Sequence, residues 1–475
     1  MAIIDNRQFI SALEQVGEVV KIDGEVDWDL EAGAILQRGA ELQSPAILME
    51  NITDYPGWRL FGNSIATYRR LAVAMGLHPD TPFRDILAEY YDRLQKPIKP
   101  VLVQDAPCQE NILVGDDVDL MALPAPMLHD GDGGRYLCTW STLVTKDPDT
   151  DWVNWGMYRA MIHNERYLAG VILPGSDVGK IFYEKYARYN KPMPFARAIG
   201  PDPISGLISG VPVGLGVNEC DVAGGVLGEP VQLVKCKTSG LEVPAHAEII
   251  LEGELLPNVT VDEGPFGEWL GFITFARSPQ VVFKVNCITY RNNPILVVAI
   301  MGMPVNDDHL LISVAYSAAT QRLLQAQGIP VKDVFFPPHC GGLLCIVSTE
   351  TPYSGIPSQI ANVILGSRGI SRAVHSLIIV GPDVDPFNLN EVMHSMATLC
   401  DPKRGISIRH NEISTPLIPF LSFEDQRWSR SSKAIYDCTW PVDWPKEKIP
   451  IKASFKTIYP QAIQDRVLQE WAKYF

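Results

Sequence analysis

The sequence predicts an α+β protein built in three parts. Three observations carry that reading. Helix and strand patterns alternate over the first hundred residues, short β-rich runs fill residues 106 to about 300, and the alternation returns after about 305. The length, 475 residues, suits roughly two to four domains. The texture divides them as an N-terminal α/β unit (1–105), a central β unit (106–305) and a C-terminal α/β unit (306–475).

In the first unit, Asp5 is expected to N-cap a helix over 6–16, followed by the strand "EVVKID". Asp27 is expected to cap "WDLEAGAILQRGAEL", and "AILMEN" reads as a strand. Thr81 before Pro82 predicts an N-cap with proline at the first helical position, opening "FRDILAEYYDRLQ". The proline-rich "KPIKPVL" (96–102) reads as extended and marks a boundary near residue 100.

In the central unit, "YLCTWSTLVTK", "RYLAGVIL", "EPVQLVKCKT", "HAEIILEGEL", "QVVFKVNCITY" and "PILVVAIM" are separated by Gly, Pro, Asn and Asp. That spacing predicts a barrel or a sandwich, interrupted by a helix near 178–188. In the last unit, "HLLISVAYSAATQRLLQAQG" is a long helix ended by Gly328. "GLLCIVST" and "HSLIIVG" are buried strands, and "NLNEVMHSMATL" is a helix. The tail "PQAIQDRVLQEWAKYF" is an amphipathic helix that docks on its own domain or on a neighbouring subunit.

The formal charge of −15 leaves no basic excess to neutralise phosphates, which argues against nucleic acid as a partner. The longest apolar run, "PILVVAIMGMPV" (294–305), is too short to span a bilayer and contains Pro304, so no membrane partner is expected. The N-terminus reads as an acidic amphipathic helix and not as a signal peptide. Nine scattered cysteines without a C-x-x-C point to reduced thiols and a cytoplasmic protein.

Several tempting motifs fail. "GSDVGKI" (175–181) has three residues between its glycines and Ile181 after the lysine, where a phosphate loop needs four and then Ser or Thr. "DGDGG" (130–134) would open a calcium loop, but its sixth position is Arg135 and its twelfth Ser141. No H-E-x-x-H, G-x-S-x-G or G-x-G-x-x-G occurs.

Three stretches remain. In "NWGMYRAMIH" (154–163), Arg159 sits among apolar residues in an expected strand. It is either a salt-bridged, snorkelling arginine or a fork that grips a carboxylate. In "VPAHAEIILEGEL" (243–255), alternation puts Glu248, Glu252 and Glu254 on one face, read as a solvated face rather than as metal ligands. In "DEGPFGEWLGF" (262–272), Glu263 and Glu268 frame a Gly-Pro-Phe-Gly turn lined by Phe266, Trp269, Leu270 and Phe272. These two acids are either a loop face or a pair whose apolar surroundings raise one pKa, so that it holds and delivers a proton.

Together with "HDGDGGRY" (129–136) and "TYRNNPIL" (289–296), and in this order and spacing, these stretches resemble the UbiD-type decarboxylases along essentially the whole chain. The resemblance implies reversible, nonoxidative decarboxylation of an α,β-unsaturated or aromatic acid with prenylated FMN (prFMN). It also implies a divalent cation, normally Mn²⁺, and K⁺ at the cofactor phosphate, with a flavin prenyltransferase as cofactor supplier. The central unit would be a split-barrel, flavin-reductase-like domain. The C-terminal unit would be an oligomerisation domain whose terminal helix exchanges within a homodimer or dimer-based oligomer.

Carried across motif by motif, the resemblance makes Arg159, Glu263 and Glu268 the catalytic set. Arg159 orients the substrate carboxylate, Glu263 pairs with it, and Glu268 delivers the proton. Asn154 matches a metal ligand, with Trp155 beside it at the cofactor, and Arg368 in "GSRG" falls near the cofactor phosphate. Two positions depart from the family pattern. "LPGSDVGK" (173–180) lacks the histidine ligand, leaving Ser176 or Asp177, and Gln232 stands where a glutamate is usual. Weaker or altered metal binding is therefore expected. A phenolic benzoic acid is the favoured substrate, with a heteroaromatic acid (indole, pyrrole, furan or phenazine carboxylate) as the alternative. Asp308, His309 and His339 are either contacts to ring substituents or satisfied structural groups. A plain FMN oxidoreductase and a non-catalytic subunit are the competing classes; neither a nicotinamide fingerprint nor loss of the Glu-Arg-Glu set favours them.

Overall fold

A computed structural model of the chain describes residues 2–274 and 276–474. The N-terminal helix Asn6–Gln15 begins where expected, because Asp5 Oδ1 accepts the Gln8 amide at 2.7 Å. It buries Phe9 and Leu13 against a four-stranded sheet ordered Val19–Val26, Ala46–Ile52, Arg59–Gly62 and Ile295–Val298. The last of these strands lies far along the sequence, yet it pairs in parallel with Arg59–Gly62.

Two helix starts differ from expectation. Asp27 does not cap: its Oδ1 accepts the Asp29 amide at 2.8 Å, and the helix begins at Glu31 after Leu30 turns the chain with φ 68°. Thr81 does not cap either: its hydroxyl donates to His78 O at 2.7 Å, and Phe83–Leu94 starts behind Pro82. The Asp27 carboxylate and the Thr81 hydroxyl are both used in tighter local turns, one as acceptor and the other as donor, and such turns compete with capping.

The central unit is an open eight-stranded sheet with no closed barrel among the described residues. Its path runs Val153–Gly156, Ser141–Lys146, Met193–Ile199, Ile249–Glu263, Ser278–Tyr290, Tyr167–Gly170 and Met161–Ile162, with Asn111–Val114 also on Ser278–Tyr290. The two longest strands form one hairpin that ends at Glu263 opposite Ser278. "GPFGEWLGF" is the connection at its tip. The interrupting helix runs Asp177–Gly179 and continues as a wider turn over Lys180–Tyr186. Two helices that the pattern missed, Pro203–Ser209 and Glu219–Leu227, are buried along nearly their whole length.

The solvated face expected for Glu248 and Glu252 is wrong. Both are fully buried. Glu248 receives Arg7 Nε at 2.8 Å and lies 3.5 Å from Arg291, while Glu252 accepts the Lys237 and Thr238 amides at 2.8 and 2.7 Å. Glu254, two residues further along the same strand, is half-buried.

The C-terminal unit has a five-stranded sheet ordered Val331–Phe335, Leu344–Thr349, Ser376–Val380, Arg430–Cys438 and Ile406–Ile413. Its three inner strands are parallel and its two edges antiparallel. The helix Asp307–Ala326 leads into it. Asn306 and His309 form a capping box at its start. The terminal helix Gln461–Tyr474 buries only Gln464, and Leu468 on it stands 63% exposed. Phe475 lies outside the described residues. No described helix is long and apolar enough to cross a membrane.

Candidate active site

Arg159 lies in the connection between Val153–Gly156 and Met161–Ile162, not in a strand. The connection delivers its guanidinium to the tip of the long hairpin. There Nε and Nη2 donate to the two oxygens of Glu263 at 2.8 and 3.1 Å, and Nη1 donates to Glu268 Oε1. All three guanidinium nitrogens are thus engaged by two carboxylates that are 2% and 6% exposed. The Phe266 ring flanks the guanidinium carbon at 5.0 Å. Tyr136 Oη donates to Glu263 Oε1 at 2.6 Å.

The failed calcium motif has another use. Gly133 packs so closely that a Cβ there would lie 1.8 Å from Gly264 O, and its amide donates to Pro265 O at 2.7 Å. Asp132 Oδ1 accepts the Gly267 amide at 2.8 Å, and its other oxygen faces His129 Nδ1 at 3.0 Å. "HDGDGG" therefore braces the turn that sets the spacing of Glu263 and Glu268.

A cavity of about 530 Å³ opens at this cluster, lined by the hairpin tip, the helix Asp307–Ala326 and the segment 415–417. It is mostly apolar, and among its described lining residues Arg159 is the one cation. Its volume is that of a small-molecule site.

Beside the cavity strands, Asn154 is 2% exposed. Its Nδ2 donates to Glu219 Oε1 and to Trp155 O, both at 3.2 Å, and its Oδ1 has no partner. Glu219 Oε2 accepts the Trp155 amide at 2.9 Å. Burial above all, with Asp177 adding, pushes the Glu219 carboxyl up to about 7. Trp155 is buried, with its Nε1 also unpartnered.

Glu219 was not singled out by sequence reasoning. An acid in the first turn of a helix reads as a dipole partner. The available signal was that the rest of "ECDVAGGVL" is nearly all apolar or small, so the helix had to be buried together with its leading acid.

Gln232 is not brought to Asn154. It opens a strand of a separate three-stranded sheet, Glu242–Pro244 with Gln232–Lys235 and Val101–Leu102, and its Oε1 meets His246 Nε2 at 3.1 Å. The carboxylate that lies beside Asn154 is that of Glu219. Ser176 is committed to the local turn, donating to Leu173 O at 2.7 Å and accepting the Gly179 amide at 3.1 Å. The adjacent Asp177 is ion-paired with Arg368 across 191 residues of chain, which joins the central and C-terminal units. His309 is buried and used at both nitrogens, by the Asn306 amide at 3.2 Å and Trp269 O at 2.6 Å. His339 is exposed. Of those three ring-contact candidates only Asp308 lines the cavity.

Among the described residues no three His, Cys, Asp or Glu side chains form a metal-holding group. A cation here would depend on oxygen donors that include an amide. The unpartnered Asn154 Oδ1 beside the buried Glu219 fits a hard cation of that kind.

Family models match along the chain. The N-terminal, Rift-related and C-terminal domains of 3-octaprenyl-4-hydroxybenzoate carboxy-lyase match residues 10–90, 99–304 and 309–438. The pyrrole-2-carboxylic acid decarboxylase of Pseudomonas aeruginosa is 33% identical, with 99% of this chain and 98% of that protein covered. The closed form of vanillic acid decarboxylase from Sedimentibacter hydroxybenzoicus superposes with a TM-score of 0.90 at 30% identity, covering all of both chains. An evolved dimeric form of the UbiD-class enzyme HmfF from Pelotomaculum thermopropionicum, in complex with prFMN, gives 0.79 at 28% identity over 94% of this chain and 97% of that one.

Proposed function

The chain belongs to the UbiD family of carboxy-lyases, and on that premise we propose that its cavity decarboxylates an aromatic carboxylic acid, reversibly and without net oxidation, with prFMN. The observation that carries the proposal is one arginine held by two buried carboxylates at the wall of an apolar cavity.

Decarboxylation leaves an electron pair on carbon, and no side chain accepts it; prFMN supplies that electron sink when bound. The protein's own residues do the rest. Glu263 and Tyr136 fix the Arg159 fork. An incoming substrate carboxylate competes with Glu268 for Nη1, the nitrogen not held by Glu263. A displaced Glu268, buried beside a second carboxylate, takes up a proton. After CO₂ leaves, Glu268 gives that proton to the carbon, and its carboxylate returns to Arg159. Proton count and charge close over the cycle.

Asn154 and Glu219, with Asp177 and Arg368 nearby, would hold the phosphate end of the cofactor through Mn²⁺ and K⁺. The central unit (106–305) serves as the split-barrel cofactor domain between an N-terminal unit (1–105) and an oligomerisation unit (306–475). The exposed apolar flank of the terminal helix supports its exchange in a homodimer. Free, mostly buried thiols support a cytoplasmic setting. A phenolic benzoic acid is the favoured substrate; the similarity to a pyrrole-2-carboxylic acid decarboxylase supports the heteroaromatic alternative.

The test is co-expression with a flavin prenyltransferase, followed by incubation with a panel of aromatic acids in D₂O. Deuterium at the carbon that carried the carboxylate is the expected result. Protein that retains prFMN but decarboxylates no acid in the panel would sink the reading.

A further inference from the structure

Three consecutive polar residues open the helix Asp307–Ala326, and their surroundings differ. Asp307 Oδ1 accepts Ser64 Oγ at 2.9 Å and the Ile65 amide at 2.6 Å. His309 is bound at both ring nitrogens. Between them, the Asp308 carboxylate makes no hydrogen bond or ion pair to any described residue; only its backbone amide is used, by Asn306 Oδ1.

Asp308 lines the cavity together with Leu311, Ile312 and Tyr316. These positions are i, i+3, i+4 and i+8, so a single helix face forms the wall. That wall is apolar except for Asp308 at one end and the Tyr316 hydroxyl at the other. Arg159, the cavity's cation, is already saturated by Glu263 and Glu268. Removal from water, then the adjacent Asp307, push the Asp308 carboxyl up to about 7, as expected of an acid with no compensating donor. Asp308 is half-buried, so its carboxylate is open to water in the empty cavity, and a bound ring that displaces that water leaves it unpaired unless the ring supplies a donor.

We propose that Asp308 is a specificity-determining residue that accepts a hydrogen bond from an N–H or O–H on the substrate's ring, so that the preferred substrates are aromatic monocarboxylic acids carrying such a donor. This rests on the decarboxylase reading above and narrows it. A ring O–H belongs to a phenolic acid and a ring N–H to an azole-type acid. A methoxy or ring-oxygen counterpart leaves Asp308 unpaired. A second carboxylate on the ring sets two acids against each other.

The experiment uses prFMN-loaded full-length enzyme and two matched pairs of acids. One pair is pyrrole-2-carboxylate against furan-2-carboxylate, and the other is 4-hydroxybenzoate against 4-methoxybenzoate. Wild-type kcat/KM is expected to favour the donor-bearing member of at least one pair by about tenfold to a hundredfold, the range for a hydrogen bond to a charged group. Which pair discriminates identifies the donor as N–H or O–H. In Asp308→Leu that ratio collapses towards one, and Asp308→Asn, which keeps an acceptor oxygen, restores part of it. A merely structural role would lower both members of a pair together and leave the ratio intact. Turnover without discrimination in wild type, or an unchanged ratio in both variants, overturns the proposal alone. Failure to turn over any of the four acids while prFMN is retained overturns it together with the reading it rests on.

Discussion

Asn154 and Glu219 meet side chain to side chain, Nδ2 to Oε1 at 3.2 Å, across 65 residues of sequence, and the single side-chain oxygen of Asn154, Oδ1, is left without a partner. The pair is preset by its neighbours: Asn218 Oδ1 takes the Val153 amide at 2.9 Å and Glu219 the Trp155 amide at 2.9 Å.

This pairing separates Glu219 from Gln232. Glu219→Ala should reduce Mn²⁺ affinity about tenfold or more, the effect of losing a group that sets a metal site. Gln232→Ala should leave affinity within about twofold, because Gln232 bonds His246 in another sheet. Metal analysis and the flavin absorbance of purified protein read both. Equal losses in the two variants would put Gln232 back in the site.

Glu268→Gln keeps the volume of the side chain and an oxygen for Arg159 but removes the transferable proton. Turnover should fall by about 10²–10⁴, the usual worth of a general acid, while prFMN content stays level. Near-normal turnover would assign the proton to another group.

Tyr136→Phe deletes the 2.6 Å donor to Glu263 and nothing else of similar reach. A hydrogen bond to a buried carboxylate is worth about 1.5–3 kcal/mol, so unfolding free energy in urea should drop by that order. Carboxylate binding through Arg159 should weaken with it, seen as a rise in KM. Unchanged stability would mean that water replaces the hydroxyl.

Burial lowers the His309 pKa to about 4, from about 6.5 when exposed. The unfolded chain therefore binds a proton that the folded chain refuses. Stability from this residue is complete above pH 6.5 and is lost as pH falls through about 4, by roughly 3 kcal/mol in all. His309→Gln has no such slope. Urea titrations of both proteins at pH 7 and pH 4.5 check this; parallel losses would refute it.

The residues alone left Arg159, Glu263 and Glu268 open between a structural and a functional reading, and it was the resemblance that grouped them; the structure brings the three side chains together at the hairpin tip. The residues that support this cluster were not legible. Alternation placed Glu248 and Glu252 on one face but carried no information on what covers it; Arg7 and Arg291 arrive from elsewhere in the chain. Glu219 looked like an ordinary helix-end acid until the helix proved buried. The strand pattern also named "PILVVAIM" correctly as a strand but assigned it to the wrong sheet, since pairing partners do not follow from periodicity.

That strand has a consequence for how the protein is made. Ile295–Val298 closes the sheet that Arg59–Gly62 leaves open. On the ribosome, at about 5–20 residues per second, the interval from Gly62 to Ile295 lasts on the order of 10–50 s. During that time the nascent N-terminal unit presents an unpaired strand edge to the cell. Its completion waits for the end of the central unit, so the two units are finished together, and the first hundred residues expressed alone would lack the strand that seals them.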